Sequence, residues 1–146
     1  MASQRVSVVT LGVADLERAR TFYGAWGWIE RQSADEVVFF QLNGLVLALF
    51  SAAALAEEQG RPVAELGTGA MALAQNFHTE AEVDERFHAA LVAGAAMLRR
   101  PQKAPWGGYS GYLADPDGHV WELAVNPFWD LDDDGSVSIP EAPPAA

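Results

Sequence analysis

Cysteine is absent from this 146-residue chain. That excludes disulfides, thiolate metal centres and cysteine nucleophiles, and leaves any metal to histidine, carboxylate or amide ligands. Basic residues are scarce: nine Lys and Arg stand against 20 Asp and Glu, for a formal charge of −11. A field of that sign repels a phosphate backbone, so no nucleic-acid partner is expected. Long apolar runs are missing as well. No window reaches the ~18 to 20 consecutive apolar residues of a membrane span, and MASQRVSVV lacks the charged, apolar and small-residue regions of a signal peptide. The expectation is a cytoplasmic protein with no membrane partner. What is present, 50% hydrophobic against 20% charged residues, is the balance of one compact domain or two intimately packed halves.

The chain reads as the same pattern twice. Val6 to Val13 is β-branched and apolar, Asp15 stands where a helix N-cap belongs, and Leu16, Ala19, Phe22 and Tyr23 recur at the spacing of a buried helical stripe. Gly24 or Gly27 ends that helix. Trp28 to Arg31 follows, then Glu36 to Leu42 and Leu45 to Phe50 separated by Asn43-Gly44, a strong hairpin signal. After a segment rich in small and polar residues, Met71 to Phe77 predicts a strand and Ala81 to Ala95 a helix with Val83, Phe87, Ala90 and Leu91 on one stripe. AMLRRPQ predicts another strand, and Gly108 to Asp115 with His119 to Asn126 a hairpin across Asp115-Pro116-Asp117-Gly118. The fold class is therefore α+β, with two tandem βαβββ modules: module one over about 5–50, a linker over 51–69, and module two over about 70–126, all within one domain of 1–129. Each module alone exposes one sheet face and must pair within the chain or across a dimer. Residues 130–146 form an acidic, Pro-rich tail carrying Asp130, Asp132, Asp133, Asp134 and Glu141 with no base, expected as an extended or frayed arm.

Two stretches carry a family resemblance. A strand running into V-A-D-L-E-R-A-R-x-F-Y-x-x-x-G-W, and the run W-G-G-Y-S-G-Y-L-A-D-P-D-G-H-V-W-E-L-A-V-N-P, resemble the vicinal-oxygen-chelate superfamily. That group holds glyoxalase I, extradiol dioxygenases, fosfomycin resistance enzymes and bleomycin resistance proteins. The resemblance spans roughly residues 5 to 129 and is most specific in D-P-D-G-H-x-W-E. It implies a curved open sheet whose concave face cups a ligand, helices on the outer face, and a homodimer. Fold alone does not fix function.

The resemblance also implies four metal ligands on the concave face, at positions matching Val8, Ala48, Ala72 and Glu122. Val and Ala offer no lone pair, and one carboxylate falls short of the three or four protein ligands of a tight transition-metal site. No cofactor is expected on that alignment. The alternative is a divalent metal held by Gln75 and Glu122, although strand alternation sets Gln75 on the face opposite Ala72, Ala74 and Asn76 unless a bulge intervenes. His78, His88 and His119 show no paired spacing.

Glu122 follows Trp121 on an otherwise apolar strand and is the candidate catalytic or cation-pairing carboxylate. Trp121, Trp26 and Trp28 read as core. Trp106 and Tyr109, set among Gly107, Gly108 and Gly111, read as pocket residues for a flat organic ligand. The expected ligand-binding set is Thr10, Ala48, Asn76, Trp106, Tyr109 and Glu122. The expected activity is binding of a small organic molecule, cationic in view of the negative field, without a tightly held metal. The alternative is a metal-dependent lyase, isomerase or dioxygenase of the same superfamily. In the tail, Asp130, Asp132, Asp134 and Glu141 satisfy the spacing of a twelve-residue calcium loop. Pro127 before it, and Pro140, Pro143 and Pro144 after it, break the helices such a loop needs, which points to a solvated acidic turn.

Overall fold

A computed structural model describes residues 3–141. Module one runs β1 (Val8–Val13), α1 (Leu16–Trp26), β2 (Gln32–Ala34), β3 (Val37–Gln41) and β4 (Val46–Ser51). The Asp15 side chain caps α1 by accepting from the Arg18 N–H at 3.1 Å, and Gly27, at φ +114°, closes it. The linker folds into α2 (Ala52–Gln59) and a 3-10 turn at Val63–Glu65. Module two repeats the order as β5 (Ala72–Asn76), α3 (Glu80–Ala93), β6 (Ala96–Lys103), β7 (Tyr109–Ala114) and β8 (Val120–Val125). Thr79 and Glu82 form a reciprocal capping box at the start of α3. Each module builds a four-stranded open sheet, in the orders β1-β4-β3-β2 and β5-β8-β7-β6, with β1 parallel to β4 and β5 parallel to β8.

The two sheets share one core. Leu11, Val13, Val38, Phe40, Leu47 and Leu49 from the first sheet join Leu113, Trp121 and Leu123 from the second around Ala19, Phe22, Tyr23 and Trp26 of α1 and Val83, Phe87 and Ala90 of α3. The Trp28 ring centroid lies 6.2 Å from Phe40 of β3 and 5.2 Å from Trp121 of β8. Tyr23 likewise lies 6.1 Å from Phe40 and 6.2 Å from Trp121. Side by side in one flat sheet, β3 and β8 would be four strand spacings apart, roughly 19 Å. Contact with the same rings therefore means that the helix-bearing faces incline toward each other.

Polar contacts lock that arrangement. The Tyr23 hydroxyl donates to Asp115 Oδ2 at 2.6 Å and accepts from Trp121 Nε1 at 3.0 Å. Asp115, 4% exposed, uses Oδ1 to accept the N–H groups of Asp117 and His119 at 2.9 Å each. The turn so fixed places Asp117 Oδ1 2.8 Å from both the Ala14 N–H and Arg18 Nη2, and His119 Nε2 2.7 Å from the Gly12 carbonyl. Between the helices, Trp26 Nε1 donates to the Arg86 carbonyl at 3.0 Å and the Arg86 guanidinium donates to the Trp26 carbonyl.

The tail departs from the expected frayed arm. Asp130–Leu131 (β9) pairs with Val137–Ser138 (β10) as a small hairpin. It is fastened to module one by Asn43 Nδ2, which donates to Ser136 Oγ at 2.7 Å and the Asp134 carbonyl at 3.2 Å, and to module two by the 3.1 Å contact of His78 Nε2 with the Leu131 carbonyl. The last Pro- and Ala-rich residues of the expected arm lie outside the described residues.

Replacing Tyr23 with Phe removes both hydroxyl contacts and leaves Asp115 Oδ2 buried without its donor. Chemical denaturation is expected to show a loss of about 2 to 3 kcal/mol. A change below about 0.5 kcal/mol, the range of an ordinary surface substitution, would show that this contact does not hold the modules together.

Candidate functional site

Because the core-facing side of each sheet is fixed by Leu47 and Phe40 in one module and Leu123 and Trp121 in the other, alternation assigns the other face residue by residue. Residues directly opposite in neighbouring strands share a face. In module one that outward face carries Val8, Thr10 and Gly12 of β1, paired with Val46, Ala48 and Phe50 of β4. In module two it carries Ala72, Ala74 and Asn76 of β5, opposite Val120, Glu122 and Ala124 of β8. Tyr112 of β7 lies opposite Glu122 and Arg99 of β6 lies opposite Tyr112, so these three form one row across the sheet.

The expected site is thereby divided. Thr10 and Ala48 share the module-one face, Asn76 and Glu122 share the module-two face, and the two faces turn away from the common core. At the seam between the modules, Thr10 and Gly12 line one cavity together with Met71, Leu73, His119 and Val120, while Ala48, Asn76 and Glu122 lie outside it.

Tyr109, expected in the cup, sits on the opposite face. It pairs with Val125, packs against the shared core, and donates from its hydroxyl to Asp84 of α3 at 2.5 Å. Tyr112, paired with Glu122, occupies the outward row that was expected of Tyr109. Trp106 lies in the β6–β7 turn, 56% exposed, with its ring 6.3 Å from Phe128. The ring covers Gly108, where the Cβ of any other residue would collide with it. This places Trp106 beyond the Tyr109–Val125 end of the sheet, away from the Glu122 row.

Arg99 was not anticipated, and it is the most firmly held charged group on the module-two face. Its Nη2 donates to both the carbonyl and Oγ of Ser110 at 2.7 Å each, and its Cζ lies 5.2 Å from the Tyr112 ring centroid. Its Nε is buried with no partner.

The residues present do not fit the four-ligand metal centre that the fold family implies. The outward faces of β1, β4, β5 and β8 hold one carboxylate, Glu122, and no imidazole, so sliding the alignment by two residues along any strand adds no anionic or imidazole ligand. The Gln75–Glu122 pair also fails. Gln75 lies opposite Leu123 without a bulge, and so on the core side, where its Oε1 is buried without a partner. Among the described residues no group of three or more His, Asp or Glu side chains is placed to hold a metal ion. In the tail, Asp134 Oδ1 accepts the Ser136 N–H at 2.9 Å, and that bond holds its carboxyl below the usual carboxylate range. Hairpin strands take the place of the flanking helices of a calcium loop.

The sequence profile of the Glyoxalase/Bleomycin resistance protein/Dioxygenase superfamily matches residues 5–123, and the chain belongs to that superfamily. It is 42% identical to a glyoxalase-related enzyme from Fulvimarina pelagi, covering 94% of this chain and 99% of that one at a TM-score of 0.87. A lactoylglutathione lyase from Agrobacterium tumefaciens is 23% identical, with 90% and 100% covered and a TM-score of 0.67. A glyoxalase/bleomycin resistance protein/dioxygenase family enzyme from Burkholderia phytofirmans PsJN is 20% identical, with 82% and 96% covered and a TM-score of 0.72. These last two similarities speak to the fold alone. Among curated proteins none matches the chain. No helix in the described residues is long and apolar enough to cross a membrane.

All three tyrosines are held protonated. Burial, then the charge of Asp115, raises Tyr23 far above the ordinary phenol range. The hydrogen bond to Asp84 pushes Tyr109 up to about 12. Burial and the charge of Glu122 raise Tyr112. Since the folded chain holds these protons more tightly than the unfolded chain, their contribution to stability is complete below pH ~10 and is lost as pH rises through the folded values. An ultraviolet titration is expected to show little tyrosinate at pH 10 in the folded protein, with ionisation appearing as it unfolds. A half-ionised tyrosine at pH 10 in the folded state would contradict these contacts.

Proposed function

We propose that the protein binds a small organic molecule in a cup built from two copies of the chain, with Thr10 and Ala48 supplied by one copy and Asn76, Tyr112 and Glu122 by the other, and without a multi-ligand metal centre. The observation that supports this reading is that Thr10 and Ala48 lie on one sheet while Asn76, Tyr112 and Glu122 lie on the other. A face with so many small side chains, Ala72, Ala74 and Ala124, needs a second wall before it can enclose a ligand. Glu122 is the charged anchor for the cationic or hydrogen-donating end of the ligand, and the net charge of −11 enriches such a group at the mouth.

A second reading is metal-free proton transfer. The Glu122 carboxylate stands opposite the Tyr112 phenol, which suits a base and a hydrogen-bond donor acting on one bound molecule. The 42% identity to a protein described as a glyoxalase-related enzyme supports a catalytic reading. In this reading Glu122 moves the proton, Tyr112 orients the substrate oxygen, and the partner wall excludes water.

Native mass spectrometry of protein purified without chelator tests the proposal. The expected species is a homodimer free of stoichiometric transition metal, with any retained organic mass persisting in EDTA. One transition metal per chain, removed by EDTA together with the organic mass, would replace this reading with the metal-dependent lyase, isomerase or dioxygenase.

A further inference from the structure

Resting on the cup described above, we propose that its module-two wall is an amphoteric site for a small zwitterion of the amino-acid type, with the carboxylate seated on Arg99 and the ammonium on Glu122. Of the six arginines outside any ion pair among the described residues, only Arg86 and Arg99 are half-buried, and Arg86 is engaged by the Trp26 carbonyl, so Arg99 is the half-buried cation that needs a cause. The ion pairs within the described residues use Arg18, Arg20 and Lys103, and neither Arg99 nor Glu122 takes part in any of them. Arg99 is nonetheless tightly positioned. Ser110 holds one Nη through two 2.7 Å bonds, and the Tyr112 ring supports the guanidinium plane. With Nη2 held by Ser110 and Nε buried, Nη1 is the donor left to meet a carboxylate.

Glu122 flanks Tyr112 on the other side, one strand away, so the backbones of Arg99 and Glu122 lie two strand spacings apart, roughly 10 Å. Opposite charges that share a row without pairing leave an acceptor at one end and a donor at the other. The floor around them, Ala74, Val120 and Ala124, adds no competing charge. Overall charge decides between ligand classes. A field of −11 repels a simple anion from Arg99, and a simple cation leaves Arg99 unused. A zwitterion is neutral at long range and satisfies both groups at contact.

The test uses the full-length protein in the oligomeric state it adopts. Glycine, β-alanine, 4-aminobutyrate and 5-aminovalerate form a ladder of charge separations, with formate and methylammonium as single-charge probes. Binding is read from the Arg99 Nε–H and Tyr112 ring resonances. Joining the two charges in one molecule makes the second contact intramolecular. One member of the ladder is therefore expected to bind at least tenfold more tightly than either single-charge probe. Arg99→Gln and Glu122→Gln are each expected to lose that advantage. Arg99→Lys, which keeps the charge and loses the Ser110-held guanidinium geometry, should retain part of it and serves if Arg99→Gln fails to fold. A ladder no tighter than formate, or one unaffected by Arg99→Gln in folded protein, overturns the zwitterion site. If that occurs in an intact dimer, the cup survives; a monomer in native mass spectrometry overturns the cup itself.

Discussion

The hydroxyl of Tyr23 is the contact on which the rest of the architecture depends. It joins α1 of module one to both the Asp115 turn and the Trp121 strand of module two. Asp115 in turn organises the backbone that sends Asp117 to the start of α1 and His119 to the end of β1. Around this polar centre the rings of Phe22, Trp26, Trp28, Phe40 and Trp121 close into one aromatic cluster. A buried carboxylate is costly unless its oxygens are satisfied, and here both oxygens of Asp115 are. The net effect is a docking geometry with little freedom, in which the helix-bearing faces of both sheets point inward.

That constraint has a direct consequence for the site. The inner faces are shared, and the outer faces approach within the chain only at the seam where Thr10 and Gly12 line a cavity with Val120, a cavity that does not include Ala48, Asn76 or Glu122. The module-two half carries the chemistry, with an arginine, a phenol and a carboxylate in one row. The module-one half is a wall of Val8, Thr10, Gly12, Ala48 and Phe50. In the proposed dimer, a second copy would bring one half of each kind together twice over. Small side chains stand where the superfamily resemblance implied metal ligands, which leaves open space on these faces.

Much of the fold was legible in the chain. The Asp15 cap, the Asn43-Gly44 turn and the Asp115–Gly118 turn report local backbone chemistry, and both βαβββ units follow from them. Strand alternation also set Gln75 on the core side. The errors arose where phase or tertiary docking decides. Two consecutive glycines, Gly107 and Gly108, precede β7, so its alternation cannot be anchored from that side, and Tyr109 was exchanged for Tyr112. In β6 the pairing register shifts between Met97 and Arg99 and again before Gln102, so alternation does not say which of Arg99 and Arg100 faces the ligand. The tail's Asp134-Gly135 is a hairpin signal that the calcium-loop spacing overlaid, and its partners, Asn43 and His78, are distant in sequence. The docking of the two modules on one core depends on long-range packing of Trp28 and Trp121, which no local pattern carries.

The absence of cysteine gives the central claim a clean test. With Thr10→Cys and Ala74→Cys in the same chain, one thiol stands on each outward face, and a flexible bismaleimide reports which chains those faces belong to. The account predicts that dilute protein is joined into covalent dimers through Cys at position 10 of one chain and position 74 of another, as read by denaturing mass spectrometry and peptide mapping. Closure of the linker within single chains, with no covalent dimer, would contradict it and place the whole cup in one molecule.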